Sequence, residues 1–353
     1  MKIAGICFTQ NGYHLLEKIE KILRQEDHDV CVAYKSRFSA KDHPEKLQED
    51  LKEWVGKRFL DSDAVIFIGA TGITVRTIAP YVKDKRQDPA VIVLDESGKF
   101  CIPLLSGHIG GANDLAVWLA DRIHAVPVVT TATDINDIFA VDVYAKKNHM
   151  TLSNMTYAKE VSASLLSGYP VGFQSDFPVE GALPSGFVWE KDLGPEDPET
   201  VTLGVSVSPS YKNAHFDHCL WLIPKCITIG IGCRKGATSA QIADLVRDVL
   251  KENYLYPEAL SRVATIDRKA EEPGLVQFCR ELDLPMVTYT AEELNAAKGK
   301  FTPSRFVKDT TGVDNVCERC AMLAGNGEMI VKKTQKDGVT CACVLSDWRV
   351  SFE

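Results

Sequence analysis

The run Ser106-Gly107-His108-Ile109-Gly110-Gly111-Ala112-Asn113 sets a histidine among three glycines just before an amphipathic stretch, and Asp114 follows it. Glycines admit φ > 0 and let backbone approach a ligand closely. A helix entrance stabilises negative charge, including the oxyanion of an attacked ester. An imidazole, with an ordinary pKa of about 6.5, moves protons at neutral pH. These residue types predict a proton-moving, anion-stabilising site. His108 would carry the proton, the amides near Gly110 and Gly111 would face the oxyanion, and Asn113 or Asp114 would orient them. The plainer alternative is a loop histidine bonded to backbone, with Asn113 or Asp114 serving only as a helix cap.

Three further stretches have related chemistry. Gly69-Ala70-Thr71-Gly72 follows an apolar run, and Arg76 lies one turn into the next expected helix. Ligands favour such strand ends, so Gly69, Thr71, Gly72 and Arg76 are candidates for substrate binding; a bare turn is the alternative. Thr130-Thr131-Ala132-Thr133-Asp134 brings hydroxyls to a strand end, with Asp134 as a further candidate base and Asp142 a weaker one. Gly230-Ile231-Gly232-Cys233-Arg234-Lys235-Gly236 resembles a dinucleotide fingerprint with one residue too many between its last glycines. Asp267 also lies too far on to serve as the ribose-binding acid. Its cations favour a carboxylate or phosphate instead, with Gly232, Cys233, Arg234, Lys235, Ser239 and Lys269 as the candidate set.

Cys317 and Cys320, with Cys341 and Cys343, have the look of zinc-ribbon pairs. The first pair falls in a helical pattern and the second at i, i+2 of an apolar strand, so buried structural thiols are expected and no metal site. The charged run Lys83-Asp84-Lys85-Arg86-Gln87-Asp88-Pro89 reads as a solvated loop able to reach over a multiply anionic ligand.

Positioning these groups requires alternating strands and helices. Strands are expected at Ile3–Phe8, Val30–Ala33, Ala64–Ile68, Ala90–Leu94, Phe100–Leu104 and Pro127–Val129, with a hairpin turn at Glu96–Lys99. Helices are expected at Gly12–Arg24, Pro44–Lys57, after Gly72, and at Gly111–His124. A second such series begins at Cys226. The fold class is therefore α/β, with mostly parallel sheets and flanking helices in an N-terminal and a C-terminal unit. A Pro-, Gly- and Ser-rich bridging region, part strand and part loop, joins them. The boundaries are 1–145, 146–225 and 226–353.

A net charge of -8 argues against nucleic acid as a general partner. No apolar stretch approaches the roughly 20 residues of a membrane span. Eleven cysteines, an odd number in mostly apolar contexts, suit reduced thiols and a cytoplasmic location.

These stretches together resemble the cobalt-precorrin-5A hydrolase family, CbiG, of anaerobic cobalamin biosynthesis. The resemblance rests on Gly72–Pro80, Lys83–Val91, Leu104–Leu115 and Pro127–Asp142. In the C-terminal unit it rests on Gly230–Ser239, Ile266–Gly274, Phe301–Ser304 and Val313–Glu318. It implies opening of a δ-lactone in a tetrapyrrole and loss of the two-carbon meso fragment as acetaldehyde, giving cobalt-precorrin-5B. It implies cobalt carried within the substrate and no separate cofactor. The peripheral carboxylates of such a substrate need local cations, and Arg76, Lys83, Lys85, Arg86, Arg234, Lys235 and Lys269 are the available set. The partner expected is this small molecule, not nucleic acid or membrane; self-association and hand-over to other pathway enzymes stay open. A tetrapyrrole carrier without catalysis, or a nucleotide-dependent oxidoreductase built on Gly230–Gly236, are the alternatives.

Overall fold

Five consecutive apolar residues, Ala64-Val65-Ile66-Phe67-Ile68, cannot alternate between core and water, so the strand they form must be covered on both faces. The computed structural model, which describes residues 1–35, 46–84, 87–108, 110–131, 138–194, 201–212 and 215–352, buries all five. The chain divides into two compact units, Met1–Val143 and Tyr144–Glu353.

In the first unit, strands β1 (Lys2–Cys7), β2 (Asp29–Tyr34), β3 (Ala64–Ile68), β4 (Ala90–Leu94), β5 (Phe100–Leu105) and β6 (Val126–Pro127) form one sheet. Their order is β2-β1-β3-β4-β5-β6. All neighbours are parallel except β4 and β5, which pair Leu94 with Cys101 and Val91 with Leu105. Strand parity divides the core. Ile3, Ile66, Ile92 and Cys101 pack with Leu16, Ile19 and Leu23 of α1 (Gln10–Gln25) and with Ala116 and Leu119. Ile6, Val65, Phe67 and Val93 face the other way, onto Trp54, Val55 and Phe59 of α2 (Leu51–Asp61) and Ile78 of α3 (Thr71–Ile78). Ala116 and Leu119 belong to α4 (Ala112–Ile123). Each successive residue thus serves one helical layer.

Two expectations are corrected here. The helix expected from Pro44 begins at Leu51, because the Asp50 carboxylate accepts the Lys52 amide at 2.8 Å and caps it there. The strand expected at Pro127–Val129 is the two residues Val126–Pro127.

Helix α5 (Val141–Lys147) precedes the sheets of the second unit. The segment expected to be part loop carries β7 (Met150–Leu152), α6 (Met155–Leu166), β8 (Val171–Ser175), β9 (Val179–Glu180), β10 (Phe187–Trp189), β11 (Leu203–Val207) and β12 (His218–Pro224). Five of these strands make a sheet in the order β10-β8-β11-β12-β7, in which only β7 runs antiparallel. It lies inside the second unit.

The last sheet uses β13 (Ile227–Cys233), β14 (Leu260–Ile266), β15 (Met286–Tyr289), β16 (Gly327–Lys336) and β17 (Val339–Ser346) in the order β15-β14-β13-β17-β16. A short β18 (Val350–Ser351) pairs with β9. Helices α7 (Ser239–Glu252), α8 (Pro273–Glu281), α9 (Ala291–Ala296), α10 (Arg305–Thr311) and α11 (Cys317–Gly325) accompany them. A capping box of Thr238 and Gln241 starts α7. Among the described residues no helix is long and apolar enough to cross a membrane. All eleven cysteines are free thiols, and no three His, Cys, Asp or Glu side chains among the described residues are placed to hold a metal.

Helix α11 crosses β13 where Gly230 stands. A Cβ on Gly230 would overlap the Cys317 carbonyl and crowd the Ala321 amide at 2.8 Å, both rigid helix backbone. Gly230→Ala should therefore lower stability by about 1–3 kcal/mol, the usual cost of overpacking. Urea unfolding of the whole chain measures it, and an unchanged midpoint would contradict this packing.

Candidate functional site

Because β5 runs against β4, its carboxyl end emerges where β4 begins. The loop after Leu105 therefore sits at the amino edge of the parallel strands. Ser106 takes a left-handed conformation, φ 57°, and its buried hydroxyl donates to the Asp88 carbonyl at 3.0 Å. The Asp88 carboxylate in turn accepts the Lys83 amide at 2.9 and 3.1 Å. The Lys83–Pro89 run is thus tied to this loop at its last acid, a residue the sequence reading treated as part of a solvated segment. Lys85 and Arg86 lie outside the described residues.

The loop closes on itself. Gly111 N donates to His108 O at 2.9 Å, Ala112 N to Ser106 O at 3.1 Å, and Asn113 N to Gly107 O at 3.0 Å. A Cβ on Gly107 would stand 2.7 Å from Asn113 Oδ1, and one on Gly110 would overlap Ser106. Gly111 has φ 82° as the N-cap of α4. The Gly111 amide and the two after it are thus spent on the loop's own carbonyls.

What the edge offers instead are side chains. Asn113, 6% exposed, donates from Nδ2 to Thr131 Oγ1 at 3.1 Å. A hydroxyl that accepts one bond still has its own proton to give. Thr131 lies here because β6 runs parallel to β5, and the Val128 amide extends the pairing to Cys101 O at 2.9 Å. His108 is half-buried in the same loop, Thr130 and Asp114 are exposed, and Asp134 lies outside the described residues.

The Gly69–Arg76 motif is at the opposite edge. Gly69 follows β3, and its amide donates to Leu94 O, the last residue of β4, at 2.8 Å. The Arg76 guanidinium folds back over Gly72, whose absent Cβ would lie 3.4 Å from it. Strand order reverses between β1 and β3 at this edge, the position where α/β sheets open a crevice. Five residues of strand, roughly 16 Å at about 3.3 Å each, separate it from the His108 edge.

In the second unit, Cys233–Gly236 and Asp267–Lys269 follow the adjacent parallel strands β13 and β14. Arg234 and Lys235 are exposed, and the Arg234 amide donates to Gly338 O at 2.9 Å. Gly232 sits beneath Thr340, whose hydroxyl donates to its carbonyl at 3.1 Å. Lys269 pairs with Glu272 at 2.7 Å, and the other oxygen of Glu272 accepts the Gly236 amide, also at 2.7 Å. Burial pushes the Cys233 thiol up, against the pull of Lys269. The Ser239 hydroxyl is committed to Glu281 at 2.6 Å. Lys269 and Ser239 therefore shape the turn and the helix start, while Arg234 and Lys235 are the exposed charges.

One buried group was missed. Glu318, fully buried on α11, accepts Thr302 N at 2.7 Å, Thr302 Oγ1 at 2.9 Å and Lys333 N at 2.8 Å. Asn315 bridges the same residues, donating to Thr302 O at 2.9 Å and accepting the Glu318 amide at 2.9 Å. Thr302, Asn315 and Glu318 all lie in stretches singled out from the sequence, but nothing there showed that they meet.

The two units define a class, α/β proteins whose strand ends gather cations and a histidine loop. Comparison with known proteins narrows it. Families described as Cobalamin synthesis G N-terminal, Cobalamin biosynthesis central region and Cobalamin synthesis G C-terminus match residues 53–134, 139–224 and 227–344. The chain is 37% identical to a cobalt-precorrin-5A hydrolase of Salmonella typhimurium, over 96% of each chain. A cobalt-precorrin-5A hydrolase of Priestia megaterium is 28% identical, over 98% of this chain and 95% of that one. A solved cobalamin biosynthesis protein G homolog from Sulfolobus solfataricus is 22% identical with a TM-score of 0.41, covering 98% of this chain and 97% of that one. The chain belongs to the cobalamin biosynthesis G family, the family of the cobalt-precorrin-5A hydrolases.

Glu272 gives the turn a pH signature. Its hydrogen bonds from Lys269 and the Gly236 amide hold its carboxyl below the ordinary 4.5. A depressed carboxyl contributes stability that is complete above the ordinary value and is lost as pH falls through the lowered one. Glu272→Gln should flatten that part of the acid unfolding limb below about pH 4.5 and change little at pH 7. An unaltered acid limb in thermal melts across pH 3 to 7 would remove the linkage.

Proposed function

We propose that this chain is a cobalt-precorrin-5A hydrolase that opens the δ-lactone and releases acetaldehyde. One observation supports this most, the likeness to the Salmonella typhimurium hydrolase along nearly the whole of both chains. Cobalt enters as part of the substrate.

The geometry suggests how the amino edge of the first unit would act. Water adds to the lactone carbonyl while His108 takes its proton, and the carbonyl oxygen gains charge. Thr131 donates to that oxygen, held by Asn113 at its other side. His108 returns that proton to the ring oxygen, which leaves as a hydroxyl, and the new carboxylic acid ionises to a carboxylate. Loss of the hydroxyl proton then lets the carbon–carbon bond break. The oxygen-bearing carbon departs as acetaldehyde, and the bonding pair passes to the macrocycle. Ser106 and Asp88 are positioning residues, fixing the loop that carries His108. Lys83, tied to this loop through Asp88, is the cation proposed for a peripheral carboxylate at this edge.

His108→Gln should cut acetaldehyde release by about 10²–10⁴-fold in a folded protein, as loss of a proton-transfer group does. Near-normal turnover would take His108 out of the role. Thr131→Val keeps the side-chain shape and removes the donor. It should lower kcat by about 10²–10³-fold with KM little changed, and a rise confined to KM would assign Thr131 to binding instead.

A further inference from the structure

The second unit has a cleft of about 570 Å³ at the opposite edge from its Arg234 turn. Lys225, Leu260 and Leu284 line it, and these residues precede or begin β13, β14 and β15. The Arg234 and Lys269 turns follow the far ends of β13 and β14. A seven-residue strand, roughly 20 Å, stands between the two edges. The cleft is therefore not part of the site described above.

Its wall is apolar. Val246 and Leu250 of α7 and Phe278 of α8, themselves almost fully buried, are among its lining residues. Leu282, 48% exposed, and Tyr211, 38% exposed, stand at its side. Its volume falls inside the range of small-molecule sites, about 300–1,000 Å³. The charge in the lining is unbalanced. Lys225, Arg247 and Lys251 contribute three cations against the single carboxylate of Glu258, although Arg247 also pairs with Asp244. This excess lies on a protein of net charge -8. An apolar wall with a cationic lining complements a flat apolar body that carries carboxylates at its margin.

We propose that this cleft binds a polycarboxylate tetrapyrrole, as a holding site separate from the reacting edge. The ligand class rests on the function proposed above; the apolar wall and the cations do not. Lys225 and Lys251 would meet peripheral carboxylates, and Leu282 would cover one face of the macrocycle.

The test titrates the full chain with uroporphyrin III, a fluorescent tetrapyrrole with eight carboxylates, at low and at 0.5 M salt. The wild type should bind saturably, and more weakly at high salt. The double variant Lys225→Glu, Lys251→Glu should weaken binding at least tenfold, and Leu282→Asp severalfold, with unchanged thermal melts because all three side chains are exposed. In the double variant Arg234→Glu, Lys235→Glu, whatever binding those two cations add is removed, and a saturable step that Lys225→Glu, Lys251→Glu abolishes should persist. No wild-type binding, an unchanged affinity in the Lys225/Lys251 variant, or a loss that follows Arg234 and Lys235 instead would each overturn the holding site. Acetaldehyde release by the wild type, measured separately, judges the hydrolase reading, so the two can fail independently.

Discussion

Which edge of the first sheet carries the histidine depends on one reversal of chain direction, between Leu94 and Phe100. The Asp95 carboxylate makes it. That carboxylate accepts the Ser97 amide at 2.9 Å, the Phe100 amide at 2.7 Å and the Ser97 hydroxyl, while Gly98 supplies φ 68°. Burial alone would raise the pKa of Asp95, but these hydrogen bonds outweigh it and hold the group below its ordinary 3.8. The carboxylate is therefore charged throughout the neutral range, and a charged acceptor makes the stronger bonds. Had β5 joined in parallel, Ser106 would have emerged beside Gly69. The antiparallel step sends it to the other edge, next to Asp88, and carries Thr131 with it.

The glycines at that edge take a different meaning from the one their pattern suggests. A glycine-rich run before a helix reads as space kept for a ligand. Here Gly107 leaves room for the Asn113 side chain and Gly110 for Ser106. The same holds in the second unit, where Gly230 admits α11 and Gly274 admits the Ala237 carbonyl. Backbone packed this closely cannot shift without losing its hydrogen bonds. A rigid loop is what a proton-transfer group needs, because the geometry of transfer tolerates little displacement. The glycines of the run thus serve its own packing, which holds His108 and Asn113 in a closed loop.

Much of this fold was legible in the sequence. The doubly buried strands Ala64–Ile68 and Ala90–Leu94 stand where their apolar runs end, and Gly111–His124 gave its helix within a residue. The hairpin turn at residues 96–99 was also legible, yet its consequence for the edges was not, since direction and order within a sheet are properties of pairing. β15 was missed because four half-exposed residues have too little periodicity, and β16 because polar side chains and register shifts interrupt its pairing with β17. The middle sheet was hidden by its Pro- and Ser-rich connections. At the candidate site, residue types singled out the loop, but hydrogen-bond partners such as Asp88 for Ser106 and Thr131 for Asn113 join residues 18 apart. Spacing within a motif cannot reveal those.

Charge follows the same division between positioning and contact. Lys269 and Arg234 read alike in sequence, as cations after adjacent strands. Lys269 is nearly enclosed, and its charge is met by Glu272, which also fixes the Gly236 amide. Arg234 and Lys235, by contrast, are both exposed. One lysine of the turn is thus committed to its shape, while its cationic neighbours stay exposed. The first unit repeats the division, with the Lys83 backbone amide, not its ammonium, engaged by Asp88. In both units a shielded carboxylate organises backbone, by accepting the Lys83 amide in the first and the Gly236 amide in the second.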